Sequence, residues 1–170
     1  DANGTFYVMI RPYSATRTGP ESNYDLTITR STPPSGDIYE PDNSCAEARE
    51  FPVDGPAQTH DFHVATDVDW VKFTAAMGNR YVLETSNLGE NADTVMYLYR
   101  PDCTTIITSD DDSGPGLGSR IEWNADATGT FYVMIRPYSA SRTGPGSNYD
   151  LTINRFVLAP QVSPASLSAT

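Results

Sequence analysis

Residues 126–155 decide the fold, and they read DATGTFYVMIRPYSASRTGPGSNYDLTINR. Both ends of this stretch alternate apolar and more polar side chains, the apolar ones being Phe131, Val133 and Ile135 at one end and Tyr149, Leu151 and Ile153 at the other. A period of two is typical of β-strands that bury one face. The Gly-, Pro- and Ser-rich residues between the two ends are typical of a loop. The stretch therefore predicts two neighbouring strands, 130–136 and 148–154.

The same alternation, broken by Gly, Pro, Asn and Asp, continues toward the N-terminus. It predicts six further strands, at 59–64, 68–74, 80–86, 94–100, 104–108 and 120–123. Only 44–49 has a helical pattern, of one or two turns. Eight short strands in about 120 residues predict an all-β fold, an antiparallel β-sandwich of jelly-roll type.

The opening residues repeat the deciding stretch. Residues 1–30 read DANGTFYVMIRPYSATRTGPESNYDLTITR and differ from 126–155 only at positions 3, 16, 21 and 29, so 30 − 4 = 26 residues are identical. We therefore expect a longer parent chain with tandem copies. The predicted organisation is a C-terminal hairpin of a preceding repeat at 1–30, a linker at 31–36, a complete sandwich at 37–155 and a linker toward a further module at 156–170.

The hairpin predicted at 1–30 lacks the other strands of its own sandwich. Its apolar face consists of Phe6, Val8, Ile10, Tyr24, Leu26 and Ile28. Two strands alone are marginally stable in water, so this face needs a cover. Two accounts stay open: packing on a neighbouring domain, or completion by another copy of the chain through strand complementation.

The charge balance excludes several classes of partner. Twenty-two Asp and Glu against 11 Lys and Arg give a net charge of −11 over 170 residues. Binding to nucleic acid or to anionic membranes needs a basic surface, which this composition does not provide. Apolar runs are also much too short to span a bilayer. We expect neither a nucleic-acid partner nor membrane insertion.

The first acidic group is a candidate calcium site. Glu40, Asp42 and Asn43 place three oxygen donors in one turn, and Asp67 and Asp69 lie two residues apart at the start of a predicted strand. Ca²⁺ takes six to eight oxygen ligands, from carboxylates, amides, backbone carbonyls and water. The alternative is a solvated turn in which these side chains cap backbone groups.

The second acidic group comprises three consecutive carboxylates and one from a nearby turn: Asp110, Asp111, Asp112 and Asp93. A cation would relieve their mutual repulsion. The alternative is an exposed loop in which water and salt screen the charges.

Catalytic patterns are absent from the sequence. His60 and His63 would point to opposite faces of one strand, which disfavours a shared zinc ion. Neither H-E-x-x-H nor G-x-S-x-G is present. We therefore predict that the chain is not an enzyme. Tyr132, Arg136 and Tyr138 either finish the sandwich surface or form a binding patch, since tyrosine and arginine are common in such patches.

Two cysteines are present, Cys45 and Cys103. They are either two unrelated buried thiols or a disulfide, and we favour the disulfide because the remaining sequence is typical of extracellular proteins. Closing 103 − 45 = 58 positions would stabilise the fold by about 4 kcal/mol in the chain-entropy model.

The order of these motifs resembles the bacterial pre-peptidase C-terminal domain, which is similar to the collagen-binding domains of clostridial collagenases. The resemblance covers about 37–153, and 1–30 by repetition. The motifs that carry it are Glu40-Pro41-Asp42-Asn43, Asp67-Val68-Asp69-Trp70-Val71-Lys72-Phe73, Ala92-Asp93-Thr94 with Leu98-Tyr99, Asp110-Asp111-Asp112, Gly129-Thr130-Phe131-Tyr132-Val133 and Tyr149-Asp150-Leu151-Thr152-Ile153.

This resemblance implies a secreted, non-catalytic β-sandwich that often accompanies a peptidase. It also implies calcium bound between the N-terminal acidic segment and the turn before the Asp-x-Asp-aromatic strand, with Glu40, Asp42, Asn43, Asp67 and Asp69 as ligands. Tyr138 stands where a collagen-contacting tyrosine is expected, whereas Arg136 stands in place of a second one.

Three functions remain in view. The first is an extracellular, calcium-stabilised repeat module with a structural, adhesive or assembly role, whose partners are other copies of the chain. The second is an accessory domain of a secreted peptidase that acts in substrate binding or maturation. The third is a module that binds an extracellular protein such as collagen, or a glycan.

Overall fold

A computed structural model describes residues 7–14, 16, 18–20, 22–28 and 36–158. The chain divides into two units, Asp1–Thr32 and Pro33–Thr170. The described residues of the first unit contain no strand, and a turn forms where the backbone N–H of Ser22 donates to the carbonyl of Gly19. Phe6, 31–35 of the predicted linker and 159–170 of the predicted tail lie outside the described residues.

The described part of the second unit consists of nine strands and no helix. The strands are β1 (Arg49–Glu50), β2 (Gln58–Asp61), β3 (Asp69–Ala75), β4 (Arg80–Ser86), β5 (Thr94–Tyr99), β6 (Ile106–Asp110), β7 (Arg120–Asn124), β8 (Gly129–Pro137) and β9 (Asn148–Phe156). One sheet has the order β1-β3-β8-β5-β6 and the other has the order β2-β9-β4-β7. All pairs are antiparallel except β1 with β3. The predicted all-β sandwich is confirmed.

The sandwich interior follows the alternation predicted from the sequence. Phe131, Val133 and Ile135 of β8 are buried, and so are the apolar residues of β9. Aromatic and aliphatic side chains of both sheets form one core: Phe51, Phe62, Val71, Phe73, Tyr81, Leu83, Met96, Leu98, Ile121, Trp123, Phe131, Val133, Ile135, Tyr149, Leu151 and Ile153. Such burial is the main source of stability for a domain of this size.

The segment 44–50 differs from its prediction. The expected helical pattern ends after two turn hydrogen bonds, from Glu47 N to Ser44 O and from Ala48 N to Cys45 O. Arg49 and Glu50 then form the short edge strand β1, parallel to β3 at Val71 and Lys72. Too few residues follow Ser44 to nucleate a helix, whereas an edge of the five-stranded sheet is available.

Cys45 and Cys103 form a disulfide with a Cα–Cα distance of 6.2 Å, as predicted. The bond connects the segment before β1 to the turn between β5 and β6. Within the described residues, no helix has the length and apolar character that crossing a membrane requires.

Candidate metal centre

Carboxylates from two parts of the chain converge at one end of the sandwich. The backbone N–H of Trp70 donates to the carbonyl of Asp42 at 2.9 Å, and that of Val68 donates to Oδ1 of Asn43 at 3.1 Å. These bonds fix the segment that precedes β1 against the start of β3. Asp69 is the first residue of β3, and Asp67 lies just before it. Both of these carboxylates are buried.

Four of the five predicted ligands meet there. Within two groups the ligand atoms lie within 4.8 Å of one another, one formed by Glu40, Asp42 and Asp69 and the other by Glu40, His63 and Asp67. Asn43 is adjacent, but its amide is already used: Nδ2 donates to Glu40 at 3.2 Å, and Oδ1 accepts from Val68. Its place is therefore beside the carboxylates, where it orients Glu40.

Several oxygens in this cluster are buried without a hydrogen-bond partner. They are Oε1 of Glu40, both carboxylate oxygens of Asp42, Oδ1 of Asp67 and Oδ1 of Asp69. Among the described residues, no lysine or arginine side chain forms an ion pair with any of these four carboxylates. His63 contacts two of them, with its Nδ1 3.3 Å from Oε1 of Glu40 and 2.5 Å from Oδ2 of Asp67, whereas Asp42 and Asp69 form no ion pair within the described part of the chain. A buried charge without a counter-charge or hydrogen bond costs several kcal/mol, so this arrangement needs protons or a cation.

The crowding changes the acidity of the carboxyl groups. Burial, followed by the charges of Glu40, Asp37 and Asp67, raises the pKa of Asp42 to about 8. Burial and the neighbouring Asp67 raise the pKa of Glu40 to about 7. Burial also raises the pKa of Asp69 well above its usual range, although the hydrogen bond from Tyr149 lowers it. A bound cation would therefore compete with protons for these carboxyl groups.

Three further side chains take part that the sequence did not assign to the site: Asp37, His60 and His63. Asp37 accepts hydrogen bonds from the backbone of Tyr39 at 2.7 Å and of Asp61 at 3.0 Å. Its Oδ2 lies 3.5 Å from Nδ1 of His60, and these two residues form a possible ligand group with Asp69. Burial opposes ionisation of Asp37, but the contacts with His60, Tyr39 and Asp61 outweigh it and lower its pKa.

The two histidines belong to different ligand groups. His60 lies in β2 between the rings of Tyr39 and Tyr149, with centroid distances of 4.6 and 5.7 Å. His63 lies beyond the end of β2, and its Nδ1 is 2.5 Å from Oδ2 of Asp67. A single strand over 59–64 was predicted to contain both residues. The strand ends at Asp61 instead, and the chain turns His63 toward Glu40 and Asp67.

The second acidic group is smaller and partly neutralised. Ligand oxygens of Asp93, Asp111 and Asp112 lie within 4.8 Å of one another. Nε of Arg142 lies 3.3 Å from the Asp93 carboxylate. Asp110 is separate from them, because its Oδ2 accepts from the backbone of Ser113 at 3.0 Å and of Arg120 at 2.7 Å. Three of the four predicted residues therefore form a group, and the fourth, Asp110, caps the adjacent turn.

The predicted binding residues lie on the outer face of the five-stranded sheet and at its margin. Arg136 donates to the hydroxyl of Tyr97 at 3.1 Å and to the Pro137 carbonyl at 2.9 Å. Tyr132 is half-buried on the same face of β8, opposite Tyr99 of β5. Tyr138 lies just beyond β8 and is 59% exposed. Arg136 is therefore held in place by a tyrosine, while Tyr138 is accessible.

Three solved structures are similar to this chain at low sequence identity. The pre-peptidase C-terminal domain of a collagenase from Bacillus anthracis has 14% identity and a TM-score of 0.49, over 62% of this chain and 93% of that chain. The periplasmic inhibitor of g-type lysozyme, PliG, from Aeromonas hydrophila has 12% identity and a TM-score of 0.44, over 64% and 95%. Its counterpart from Salmonella Typhimurium has 15% identity and a TM-score of 0.43, over 64% and 98%.

Sequence comparison gives one family. The bacterial pre-peptidase C-terminal domain matches residues 67–137, which include Asp67 and Asp69 but not the acidic segment around Glu40. No curated protein matches the chain. The resemblance inferred from the motifs is confirmed over residues 67–137.

Proposed function

We propose that the sandwich is a non-catalytic, calcium-stabilised module of an extracellular protein. The observation that carries this proposal is the set of five buried carboxylate oxygens without a hydrogen-bond partner, on Glu40, Asp42, Asp67 and Asp69. Hard oxygen donors are what Ca²⁺ prefers, and the backbone carbonyls and water nearby can complete six to eight ligands. The disulfide supports an extracellular location, because such bonds persist in oxidising compartments.

Calcium would act on folding rather than on chemistry. The centre joins the segment before β1 to the start of β3, which are separated in sequence by β1 and β2. A cation that binds only the folded arrangement stabilises it by mass action, by about 1.4 kcal/mol at ten times the dissociation constant and about 2.7 kcal/mol at a hundred times. We assign the bound cation to Glu40, Asp42, Asp67 and Asp69, with Asn43 and Tyr149 holding two of these carboxylates in place.

Thermal denaturation in EDTA and in 10 mM Ca²⁺ tests the proposal. Extracellular calcium modules bind with dissociation constants of about 10⁻⁴–10⁻³ M, so 10 mM is a saturating concentration. We expect a higher Tm with Ca²⁺ in the native chain and no difference in Asp69→Asn. The control is Asp126→Asn, which removes an exposed carboxylate paired with Arg100 and should keep the full calcium response.

The same experiment with Zn²⁺ and Mg²⁺ distinguishes the metal. His60 and His63 each stand in a group with two carboxylates, a donor set that also suits Zn²⁺. A Tm that rises with Zn²⁺ and not with Ca²⁺ would assign the centre to zinc and contradict the calcium proposal. A Tm that no divalent cation changes would contradict a metal centre altogether.

A surface feature favours a second function, binding of an extracellular ligand. The outer face of the five-stranded sheet carries adjacent aromatic rings, because Trp70 lies 5.1 Å from Tyr99 and Tyr97 lies 6.4 Å from Tyr99, between ring centroids. Aromatic side chains with an arginine are typical of binding patches. Arrays of collagen peptides and glycans test this function, and signal lost in Tyr99→Ala but kept in Tyr7→Ala would support it.

The family match favours the role of an accessory domain beside a peptidase. Its name describes a domain at the C-terminal side of peptidases, and this chain matches it over 67–137. The sequence of the parent gene tests this role. A peptidase domain encoded next to the module would support it, and a long run of identical modules without any enzyme would contradict it.

A further inference from the structure

Two nearly identical segments of this chain have opposite environments. In the second repeat segment, residues 126–155, five of the inward-facing residues have exposed fractions of 0, 0, 0, 0 and 1%: Val133, Ile135, Tyr149, Leu151 and Ile153. In the first repeat segment, which begins at residue 1, the equivalent exposed fractions are 65, 43, 64, 53 and 74% for Val8, Ile10, Tyr24, Leu26 and Ile28. The same side chains are thus core residues in one copy and exposed in the other.

The second repeat segment shows which strands cover these side chains. β8 lies between β3 and β5, and β9 lies between β2 and β4. Val133 pairs with Val71 on one side and Leu98 on the other, whereas Leu151 pairs with Gln58 and Thr85. The space between these flanking strands is the slot that one such hairpin fills. The described chain contains one slot and two segments whose side chains can fill it.

We propose that residues 7–28 are a strand-exchange segment, which replaces β8 and β9 in the sandwich of a second copy of this chain. Identity at 26 of 30 positions means that the incoming segment brings the same apolar residues at the same spacing. An edge or slot that accepts a β-strand gains backbone hydrogen bonds as well as apolar burial. The exchanged state would have the core of the native sandwich.

The length of the connection between residues 30 and 37 favours exchange with a second molecule over insertion into the same chain. In the slot, Arg30 would stand where Arg155 pairs with Tyr81, whereas Asp37 is fixed beside Asp61, at the Asn148 end of β9. The seven positions from Asn148 to Arg155 span about 23 Å of strand. The seven steps from Arg30 to Asp37 reach at most about 25 Å when fully extended. The connection from Arg30 to Asp37 is therefore too short to pass around the sheet as well. A second molecule is the less strained acceptor, because exchange between molecules does not need this connection to return to the same sandwich.

One of the four sequence differences explains why the native chain keeps its own β8 and β9. Gly146 has a φ of +79°, and a Cβ there would lie 3.1 Å from Cγ of Glu90. Glu21 is the equivalent residue in the first copy. A glutamate in this place would need a left-handed backbone and would stand beside a like charge. Exchange is therefore the minor state until the resident hairpin is weakened.

A double-mutant cycle in the full chain tests the proposal. Leu151→Asp places a charge in the core and should release the resident hairpin, while the first copy retains Leu26. We expect this variant to keep a cooperatively folded sandwich and to run as a dimer or larger species in light scattering. Leu26→Asp alone should leave a monomer with native stability, because Leu26 is 53% exposed. The double variant Leu26→Asp/Leu151→Asp should unfold, because neither segment can then fill the core. This loss would be a strong energetic coupling between residues of separate units.

Cysteine pairing identifies the acceptor. Lys72 stands opposite Tyr132 in the register of β3 and β8, and Tyr7 is the equivalent of Tyr132. In a Leu151→Asp background, Lys72→Cys with Tyr7→Cys should form a disulfide between chains, and Glu21→Gly should strengthen the dimer by at least about fivefold. A Leu151→Asp variant as unfolded as the double variant would overturn the proposal. So would a folded double variant, a folded monomer, or a disulfide only within one chain.

Discussion

The hydroxyl of Tyr149 donates a hydrogen bond to Oδ2 of Asp69, and both side chains are fully buried. Tyr149 lies in β9 of the four-stranded sheet, and Asp69 begins β3 of the five-stranded sheet. The bond therefore connects the two sheets at the metal centre. It leaves Oδ1 of Asp69 without a partner, in the same group as Glu40 and Asp42. A residue of the core thus orients a candidate ligand.

Tyr149→Phe tests this orientation. The ring still fills the core, but Asp69 loses the donor that fixes its carboxylate. Outer-shell partners of metal ligands typically contribute 10–100-fold to affinity, so we expect calcium binding weaker by at least about tenfold. Calcium titration followed by Tm measures the change. Tyr24→Phe, the same substitution at the equivalent exposed position, is the control and should have no effect. Equal affinity in Tyr149→Phe and the native chain would contradict this role.

The pH dependence of stability should depend on calcium. In EDTA, Asp42 and Glu40 have folded-state pKa values raised to about 8 and about 7. For groups with raised values, the stability contribution is full below the unfolded pKa, near 4, and is lost as the pH rises through the folded pKa. We therefore expect the Tm in EDTA to fall between about pH 4 and pH 8.

Saturating calcium should remove that fall, because the cation stabilises the ionised carboxylates. The difference in Tm between calcium and EDTA should thus grow with pH, which thermal denaturation at several pH values measures. A Tm in EDTA that rises steadily from pH 4 to pH 8 would contradict the proposed protonation of the empty cluster. Asp42→Asn provides the control, since the fall in its Tm should be smaller.

The disulfide should be a large part of the stability of the sandwich. Replacing both Cys45 and Cys103 by serine opens a connection of 58 positions. In the chain-entropy model this lowers the free energy of unfolding by about 4 kcal/mol. Urea denaturation in saturating calcium measures it. A loss below about 1 kcal/mol would show that the segment before β1 is held by other contacts, such as the bond from Trp70 to Asp42.

Local periodicity predicted the strands because each buries one face. The predicted 130–136 and 148–154 correspond to Gly129–Pro137 and Asn148–Phe156, which are longer by one or two residues at individual ends. β1 was missed, since two residues on a sheet edge carry no period. The pairing of distant strands, such as β1 with β3, depends on topology and leaves no local signal.

The candidate site was predictable only in part, for a similar reason. Clustered carboxylates in the sequence gave Glu40, Asp42, Asp67 and Asp69, which the structure brings together. Asp37 and His60 were missed because they meet only through the placement of Asp37 against β2. Tyr149 follows the alternation of buried residues in β9, and its hydroxyl donates a hydrogen bond to Asp69 of the opposite sheet. An aromatic residue with a polar end at a core position was the available signal.

Isothermal titration calorimetry with Ca²⁺ on two matched double variants tests the central claim most directly. Asp42→Asn/Asp69→Asn removes two carboxylates of the proposed centre, and Asp111→Asn/Asp112→Asn removes two from the second acidic group. We predict calcium binding to the native chain that disappears in the first variant and persists in the second. Binding that survives in Asp42→Asn/Asp69→Asn, or no binding to the native chain, would contradict the calcium centre.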